Sequence, residues 1–539
     1  MKQLDINRNN NKRLWEILNS VIKRGTGQNN YPKYFICNDH EEYNMDVVAN
    51  SLNEFFVTAG PNLARSITDP GKAQEKPDTL IDRNPYSMFL TAVDENEVFE
   101  IVKKCKNQKS LDCNDIDMMV VKRVIEAIIK PFTYICNLSL QTGRFPDRMK
   151  IAKVIPLYKS GNKHHFTNYR PVSLLPQFSK ILEKLFKNRL EKFIDKHKLL
   201  TESQYGFRSS RSTSLALLDS IEYITNSIDK KQYVAGLFID LSKAFDTIDH
   251  DILIRKLERY GVRGVALDWV RSYLGDRKQF VKLNGGCSLC MDIACGVPQG
   301  SVLGPKFFNL YINDICKVSK VLKMVLFADD TNIFCSGDDL QNLLEDMTNE
   351  ISKVKFWLDK NKLSLNLNKS KLMLFGNSSL NTNAKIQING VDIERVSENK
   401  FLGVIIDEKL NWRAHVRYIH SKVSRSIAIL NKAKQVFDRT SLHILYCSLV
   451  SPYLSYCAEV WGNNYKTTLH SLFTLQKKAI RIIHNAGYRE HTNSLFLQSE
   501  ILKMDDLVKF QTAQILFKAK NKELPGNIQS MFFFERRKL

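Results

Sequence analysis

The sequence predicts an α+β fold in which a few strands carry acids at their ends and helices fill both flanks. Three stretches predict it. Lys323-Met324-Val325-Leu326-Phe327 and Thr331-Asn332-Ile333-Phe334-Cys335 are apolar runs on either side of Ala328-Asp329-Asp330, a pattern that reads as a tight hairpin with both acids at its tip. Val234-Ala235-Gly236-Leu237-Phe238-Ile239 is an apolar strand ended in the same way by Asp240. From Trp412 through Val416, Ile419, Val423, Ile427 and Leu430 the apolar residues recur at spacings of 4, 3, 4, 4 and 3, which is one helix face.

Adjacent carboxylates repel and are costly beside apolar strands unless a cation holds them. Two strand-end carboxylate sets from distant parts of one chain suit a two-metal site for phosphoryl transfer. The 539 residues carry a net charge of +22, so the natural partner is a polyanion. No run of about 18 apolar residues exists, which excludes a membrane-spanning helix. The start, Met1-Lys2-Gln3-Leu4-Asp5, lacks the apolar core of a signal peptide, and the 11 cysteines read as reduced thiols of an intracellular protein, in cytoplasm or nucleus.

Three motifs stand in a telling order: Asp240-Leu-Ser-Lys-Ala-Phe-Asp246, Gly296-Val-Pro-Gln-Gly-Ser-Val-Leu-Gly-Pro305 and Phe327-Ala-Asp-Asp330. The chain resembles the reverse transcriptases of retrotransposons without long terminal repeats, of the jockey-like or LINE type. The resemblance implies a right-hand polymerase of fingers, palm and helical thumb, with an N-terminal helical connector and a C-terminal helical region. It implies two Mg²⁺ ions bridged by Asp240 and Asp329, with Asp330 in support and the carbonyl of Leu241 as a further ligand. It also implies an RNA template, a DNA primer and deoxynucleoside triphosphates. The expected divisions are 1–137 (connector), 138–408 (fingers and palm) and 409–539 (thumb and C-terminal helices). Too little chain precedes the connector to hold the endonuclease of related elements. An inactive remnant that keeps the fold as a nucleic-acid-binding protein is the alternative reading, and an RNA-templated RNA polymerase a further one.

Taken in order, Trp15, Leu18, Val21 and Ile22 fit a short amphipathic helix, and Val47 to Phe56 fits another. Residues 68–88, with Asp69-Pro70-Gly71 and Asn84-Pro85, read as a linker, and 98–128 as a small helical unit. Ile151–Leu157 and Asn168–Val172 form a hairpin whose Lys159 and Arg170 could clamp a triphosphate, as matching basic residues do in the fingers of the family. Residues 177–197 make a packing helix. In Gln204-Tyr205-Gly206-Phe207-Arg208-Ser209-Ser210-Arg211, aromatics interleaved with Arg208 and Arg211 suit a single-stranded template. The same stretch reads as a turn before the Ser/Thr-capped helix 213–228.

Asp246 lies beyond the strand end that aims Asp240 and is read as structural. Asp249 or Asp251 caps the helix Ile252–Tyr260, which Gly261 ends. Phe245, five residues past Asp240, matches the family aromatic under the sugar of the incoming nucleotide. Cys287, Cys290 and Cys295 fall in a hairpin and have no further partner at zinc spacing, so no structural zinc is expected. Gly296–Pro305 must be a shaped loop that lets backbone approach a ligand at Gly300 and brings the amide of Gln299; the family places it over the nascent base pair.

Leu340–Leu358 is an amphipathic helix, and 363–370 reads as a basic strand. Lys369 on it matches a family lysine that protonates leaving pyrophosphate. Phe401–Ile406, with Gly403, resembles the strand that grips the primer end. Between 409 and 434 the charges are Lys409, Arg413, Arg417, Lys422, Arg425, Lys432 and Lys434, with no acid. One-signed charge on an amphipathic helix points to duplex backbone, with Arg413, Arg417 and Arg425 touching it. Residues 440–535 continue as apolar helices, without a ribonuclease H acid cluster or a trusted metal spacing among His470, His484, His491, Cys447 and Cys457.

Overall fold

The computed structural model describes residues 31–37, 39–67, 80–107, 110–376, 385–388 and 390–532. The helix expected around Trp15 to Ile22, and residues 68–79 of the expected linker, lie outside them.

The described chain opens with a hairpin, β1 (Phe35–Cys37) and β2 (His40–Glu42), and helix α1 (Met45–Ser66). Helices α2 (Glu95–Lys104) and α3 (Met118–Thr142) follow, opened by Asp94 and Asp117, each of which accepts a first-turn N–H. Next come β3 (Ile151–Tyr158), β4 (Tyr169–Leu174), α4 (Gln177–Lys196), α5 (Thr213–Asp229) and β5 (Tyr233–Ile239). After them lie α6 (His250–Tyr260), capped by Asp249, and α7 (Val265–Leu274). Short strands β6 (Lys278–Leu283), β7 (Gly286–Cys287) and β8 (Met291–Asp292) precede α8 (Gly304–Ile312), with Pro305 in its first turn. The hairpin β9 (Lys323–Phe327) and β10 (Asp330–Gly337) leads to α9 (Leu340–Lys360) and β11 (Lys371–Phe375).

Short strands β12 (Gln387–Ile388), β13 (Val391–Asp392), β14 (Glu394–Arg395), β15 (Glu398–Phe401) and β16 (Val404–Asp407) come next. Helices complete the chain: α10 (Arg413–Ala433), α11 (Arg439–Leu449), α12 (Ser451–Ser455), α13 (Ala458–Trp461), α14 (Lys466–Ile483), α15 (Asn493–Gln498), α16 (Met504–Lys520) and α17 (Gly526–Gln529).

The central sheet has the order β14-β11-β5-β10-β9, with β5 in the middle. Its strands read as nearly continuous apolar runs because both faces are covered. Ala235, Leu237 and Ile239 of β5 join one core with Leu343, Met347 and Ile351 of α9. Val234 and Phe238, on the other face, join Leu215, Leu217 and Ile224 of α5. Val416, Ile419, Val423, Ile427 and Leu430 of α10 belong to that second core, so the predicted helix face is the buried one.

A second sheet has the order β4-β3-β6-β7, with β3 parallel to β6. Helix α1 covers it: Val48, Leu52 and Phe56 form one core with Val154, Tyr169, Val281 and Leu283. Helix α1, within the stretch 1–137 drawn from the sequence as a largely helical connector, therefore shares a core with the strands at 151–287.

Two strand expectations are corrected. Residues 363–370 make only a bridge, Leu365 with Leu241, and then a turn, while the strand proper is β11, at 371–375. Their alternating pattern mimics a strand, but the Asn366 carbonyl accepts the N–H of Lys369 at 3.2 Å and of Ser370 at 3.0 Å, which closes a turn. Phe401–Ile406 is a hairpin rather than one strand. Leu402 and Gly403 form its two-residue turn at φ 45° and 86°, the left-handed pair a tight antiparallel turn uses.

Candidate active site

The register of the central sheet assembles the acids. β5 and β10 run antiparallel with Ile239 opposite Thr331, so the next rung sets Asp240 beside Asp330. Asp330 pairs with Phe327 across the hairpin, which leaves Ala328 and Asp329 as a two-residue turn. Ala328 holds φ 56°, a left-handed conformation costly for a residue with a side chain.

What holds that turn is Gln204-Tyr205-Gly206. The buried Gln204 side chain accepts the N–H of Gly206 at 2.7 Å and of Ala328 at 3.1 Å. Tyr205 N donates to the Leu326 carbonyl at 2.8 Å, and Leu326 N to that of Ser203 at 2.8 Å. A Cβ on Gly206 would run into the Ala328 amide nitrogen, so glycine is what lets the two backbones meet. This gives 204–206 a bracing role beside the reading of 204–213 as a template strip. Arg208 donates to the carbonyls of Thr201 (2.5 Å) and Gln204 (3.3 Å). The Arg211 side chain, 4% exposed, pairs with Glu202 and lies over the Tyr205 ring at 5.0 Å. Both arginines thus have partners within the fold.

Asp240 is gripped from the turn after α9. Asn366 Nδ2 donates to its Oδ2 at 3.1 Å, and Lys369 Nζ stands 3.8 Å from the same oxygen. Asn366 N donates to the Asp240 carbonyl at 2.9 Å, and among the described residues no hydrogen bond takes the Leu241 carbonyl. Burial pushes the Asp329 carboxyl up, the Asp240 charge adds to this, and Arg170 and Lys159 oppose it. Asp330, although part of it faces solvent, is pushed up to about 6 by desolvation and by Asp329 and Asp240. Desolvation lowers Lys159, as do Arg170 and Lys369, while Asp240 and Asp329 raise it. Lys159, Arg170 and Lys369 are thus the charges that act on this group of acids and on one another.

Lys159 and Arg170 sit on the β3–β4 hairpin, where Leu157 opposes Arg170. The loop at 296–303 lies against it: Ser173 N donates to the Gln299 carbonyl at 2.8 Å, and a Cβ on Gly300 would stand 2.5 Å from the Ser173 oxygen. Buried Glu183, which sequence reasoning missed, accepts the N–H of Val302 at 2.7 Å and of Leu303 at 3.2 Å. Phe245 stacks on Phe308, centroids 4.7 Å apart, and meets Phe207 edge-on at 6.4 Å. Arg413, Arg417 and Arg425 are exposed on α10, Arg417 with Glu398 at 3.3 Å. Gly403 sits against Tyr456, whose hydroxyl donates to the Leu402 carbonyl at 2.7 Å. Cys287 and Cys290 are exposed, and Cys295 donates to the Asp246 carbonyl at 3.3 Å.

Among the described residues no three His, Cys, Asp or Glu side chains are grouped to hold a metal by themselves, and no helix is long and apolar enough to cross a membrane.

Residues 159–406 match the family described as reverse transcriptase (RNA-dependent DNA polymerase), and the chain is similar over most of its length to the polymerases of several transposons. Its similar relatives include the probable RNA-directed DNA polymerase from transposon BS of Drosophila melanogaster, 26% identical over 461 residues, which are 82% of this chain and 50% of that protein. The RNA-directed DNA polymerase from mobile element jockey of Drosophila melanogaster is 27% identical over 436 residues, covering 78% of this chain and 47% of the relative. The probable RNA-directed DNA polymerase from transposon X-element of the same organism is 27% identical over 424 residues, covering 76% and 46%. The chain thus spans about half the length of the curated relatives it matches.

Proposed function

We propose that the chain is an RNA-directed DNA polymerase that extends a DNA primer on an RNA template. The observation that carries this is the strand register that sets Asp240 beside Asp330 and the adjoining Asp329, with Lys369 3.8 Å from Asp240. In this reading the central sheet is the palm, the β3–β4 hairpin belongs to the fingers, and α10 with the helices after it is the thumb.

The acids fit Mg²⁺. Their oxygens are hard donors, and burial beside one another, which pushes Asp329 and Asp330 up, is a cost that a bound cation would offset. Mg²⁺ is commonly held by one or two carboxylates plus substrate phosphates, so the lack of a closed protein cage suits it. Asp240, Asp329 and the Leu241 carbonyl would hold two ions with Asp330 in support; such ions, when bound, lower the pKa of the primer hydroxyl and neutralise the leaving group. Lys159 and Arg170 bind the triphosphate as fixed cations. Lys369, beside Asp240, is placed to give a proton to departing pyrophosphate. Gln299 and Gly300 line the nucleotide side, and Gly403 the primer side.

Primer extension by the purified chain tests the reading, on an RNA template with Mg²⁺ and with deoxynucleotides against ribonucleotides. A folded chain that extends no primer would be the nucleic-acid-binding remnant instead.

Proton and cation compete for Asp330. Apparent Mg²⁺ affinity in extension should fall by about tenfold per pH unit below the value of about 6 that its carboxyl reaches. The sign for stability follows. A raised carboxyl binds its proton more tightly when folded, so its contribution is present near pH 4 and lost as pH rises through about 6. Mg²⁺ should therefore raise the melting temperature more at pH 7.5 than at pH 5. An equal rise at both values would remove Asp330 from the cation site.

The thumb assignment has its own test. Replacing Arg413, Arg417 and Arg425 together by glutamine should weaken binding about equally for unrelated duplexes. The log–log salt slope should flatten by roughly 2–3 units, about one for each phosphate that an arginine no longer neutralises. An unchanged slope would make the three arginines a solvated face.

A further inference from the structure

Asp246 is the second acid of its motif and bonds Gln299, and α1 lies outside the residues that match the reverse transcriptase family. The two meet behind Gln299. Gln299 Nε2 donates to Asp246 Oδ1 at 2.8 Å. The segment around Asp246 holds the loop in register: Val297 N donates to the Phe245 carbonyl at 2.9 Å and Gly296 N to that of Ile248 at 2.8 Å. His250 Nε2 adds a contact of 2.8 Å with the Gly296 carbonyl. Helix α1 closes the back of this unit. A Cβ on Gly60 would collide with the Asp246 carbonyl oxygen and stand 2.7 Å from Cys295 Sγ. Lys243 Nζ lies 4.2 Å over the Phe55 ring. Phe56 and Val57 face Asp246 and Gln299 across a crevice of only about 40 Å³.

We propose that Asp246 is a positioning residue that aims the Gln299 amide at the incoming nucleotide, and that α1, seated through Gly60, holds Asp246 in place. Asp246 Oδ1 accepts from the amide nitrogen, so it fixes that nitrogen toward itself and turns the amide oxygen outward. Gln299 then presents an acceptor to the nucleotide with no rotamer left to choose, a preorganisation that shows in nucleotide affinity. The inference rests on the polymerase reading above.

The test is steady-state extension by the full chain, with melting temperatures measured beside it. Asp246→Leu, which removes the acceptor, should raise KM for deoxynucleotides on the order of tenfold to a hundredfold and change kcat less. Asp246→Asn keeps an acceptor oxygen and should restore KM to within about threefold of wild type. Gln299→Leu should match Asp246→Leu, and the double variant should be no worse than either single one, because both break the same hydrogen bond. Gly60→Ala favours the helix by propensity alone, so a raised KM in that variant reports the close approach to Asp246.

If the wild type extends primers but KM stays put in Asp246→Leu, or the two leucine effects multiply, Asp246 is merely structural and the proposal is overturned while the polymerase reading stands. If Gly60→Ala leaves KM unchanged, the part assigned to α1 is overturned. A wild type that extends nothing overturns both readings.

Discussion

Asp240→Asn and Asp329→Asn should each abolish primer extension. Asp240 ends the central strand, and Asp329 occupies the turn of the neighbouring hairpin, so each reaches the site from a rigid element. Losing one ligand of a metal pair removes on the order of several kcal/mol of transition-state stabilisation, which is roughly a thousandfold or more in rate. Both substitutions preserve shape. The metal-free variants should melt no lower than wild type, because each removes a carboxylate that presses on Asp330. Extension within tenfold of wild type in both would sink the two-metal assignment.

Phe245→Val should open the pocket to ribonucleotides. The ring stacks on Phe308 and meets Phe207 edge-on, so its position is set by two further aromatics. A phenyl group under the sugar leaves no room and no polar partner for a 2′-hydroxyl. A ribonucleotide must then shift, and a displacement of about 1 Å costs roughly a hundredfold in a reaction governed by position. The ratio of ribonucleotide to deoxynucleotide incorporation should rise by about that factor while Mg²⁺ dependence remains. Because Phe245 is only half-buried, the stability loss should stay below the roughly 3–5 kcal/mol of a fully buried phenylalanine. A larger loss with an unchanged ratio would make Phe245 a packing residue alone.

The acids are legible in the sequence because a strand buried on both faces leaves one unmistakable mark, an apolar run ended by charge. The face of α10 is legible for a similar reason, since its period repeats over five turns. Local pattern fails where a side chain works at long range. Gln204 and Gly206 look like recognition residues, yet they brace Ala328, a partner 124 positions away. The glycine between aromatics is the signal, since it marks backbone meeting backbone. Asn366 hides in a strand-like alternation, and only its carbonyl's bonds to Lys369 and Ser370 reveal the turn that sets its side chain on Asp240. Helix α1 joins the second sheet through Asn53, whose side chain exchanges bonds with Gln279 at 3.0 and 3.2 Å, and no local signal carries a contact of that span.

One bond also sets an order in time. Asn527 Nδ2 donates to the Tyr205 hydroxyl at 2.6 Å, across 322 positions of sequence. A ribosome therefore delivers Tyr205 long before the helix that anchors it, and until then the brace under Ala328 lacks that support. Closing so long a loop comes late on entropic grounds. The segment that steadies the acids is completed by a helix 322 positions downstream, so a nascent chain carries all three acids before it carries their finished brace.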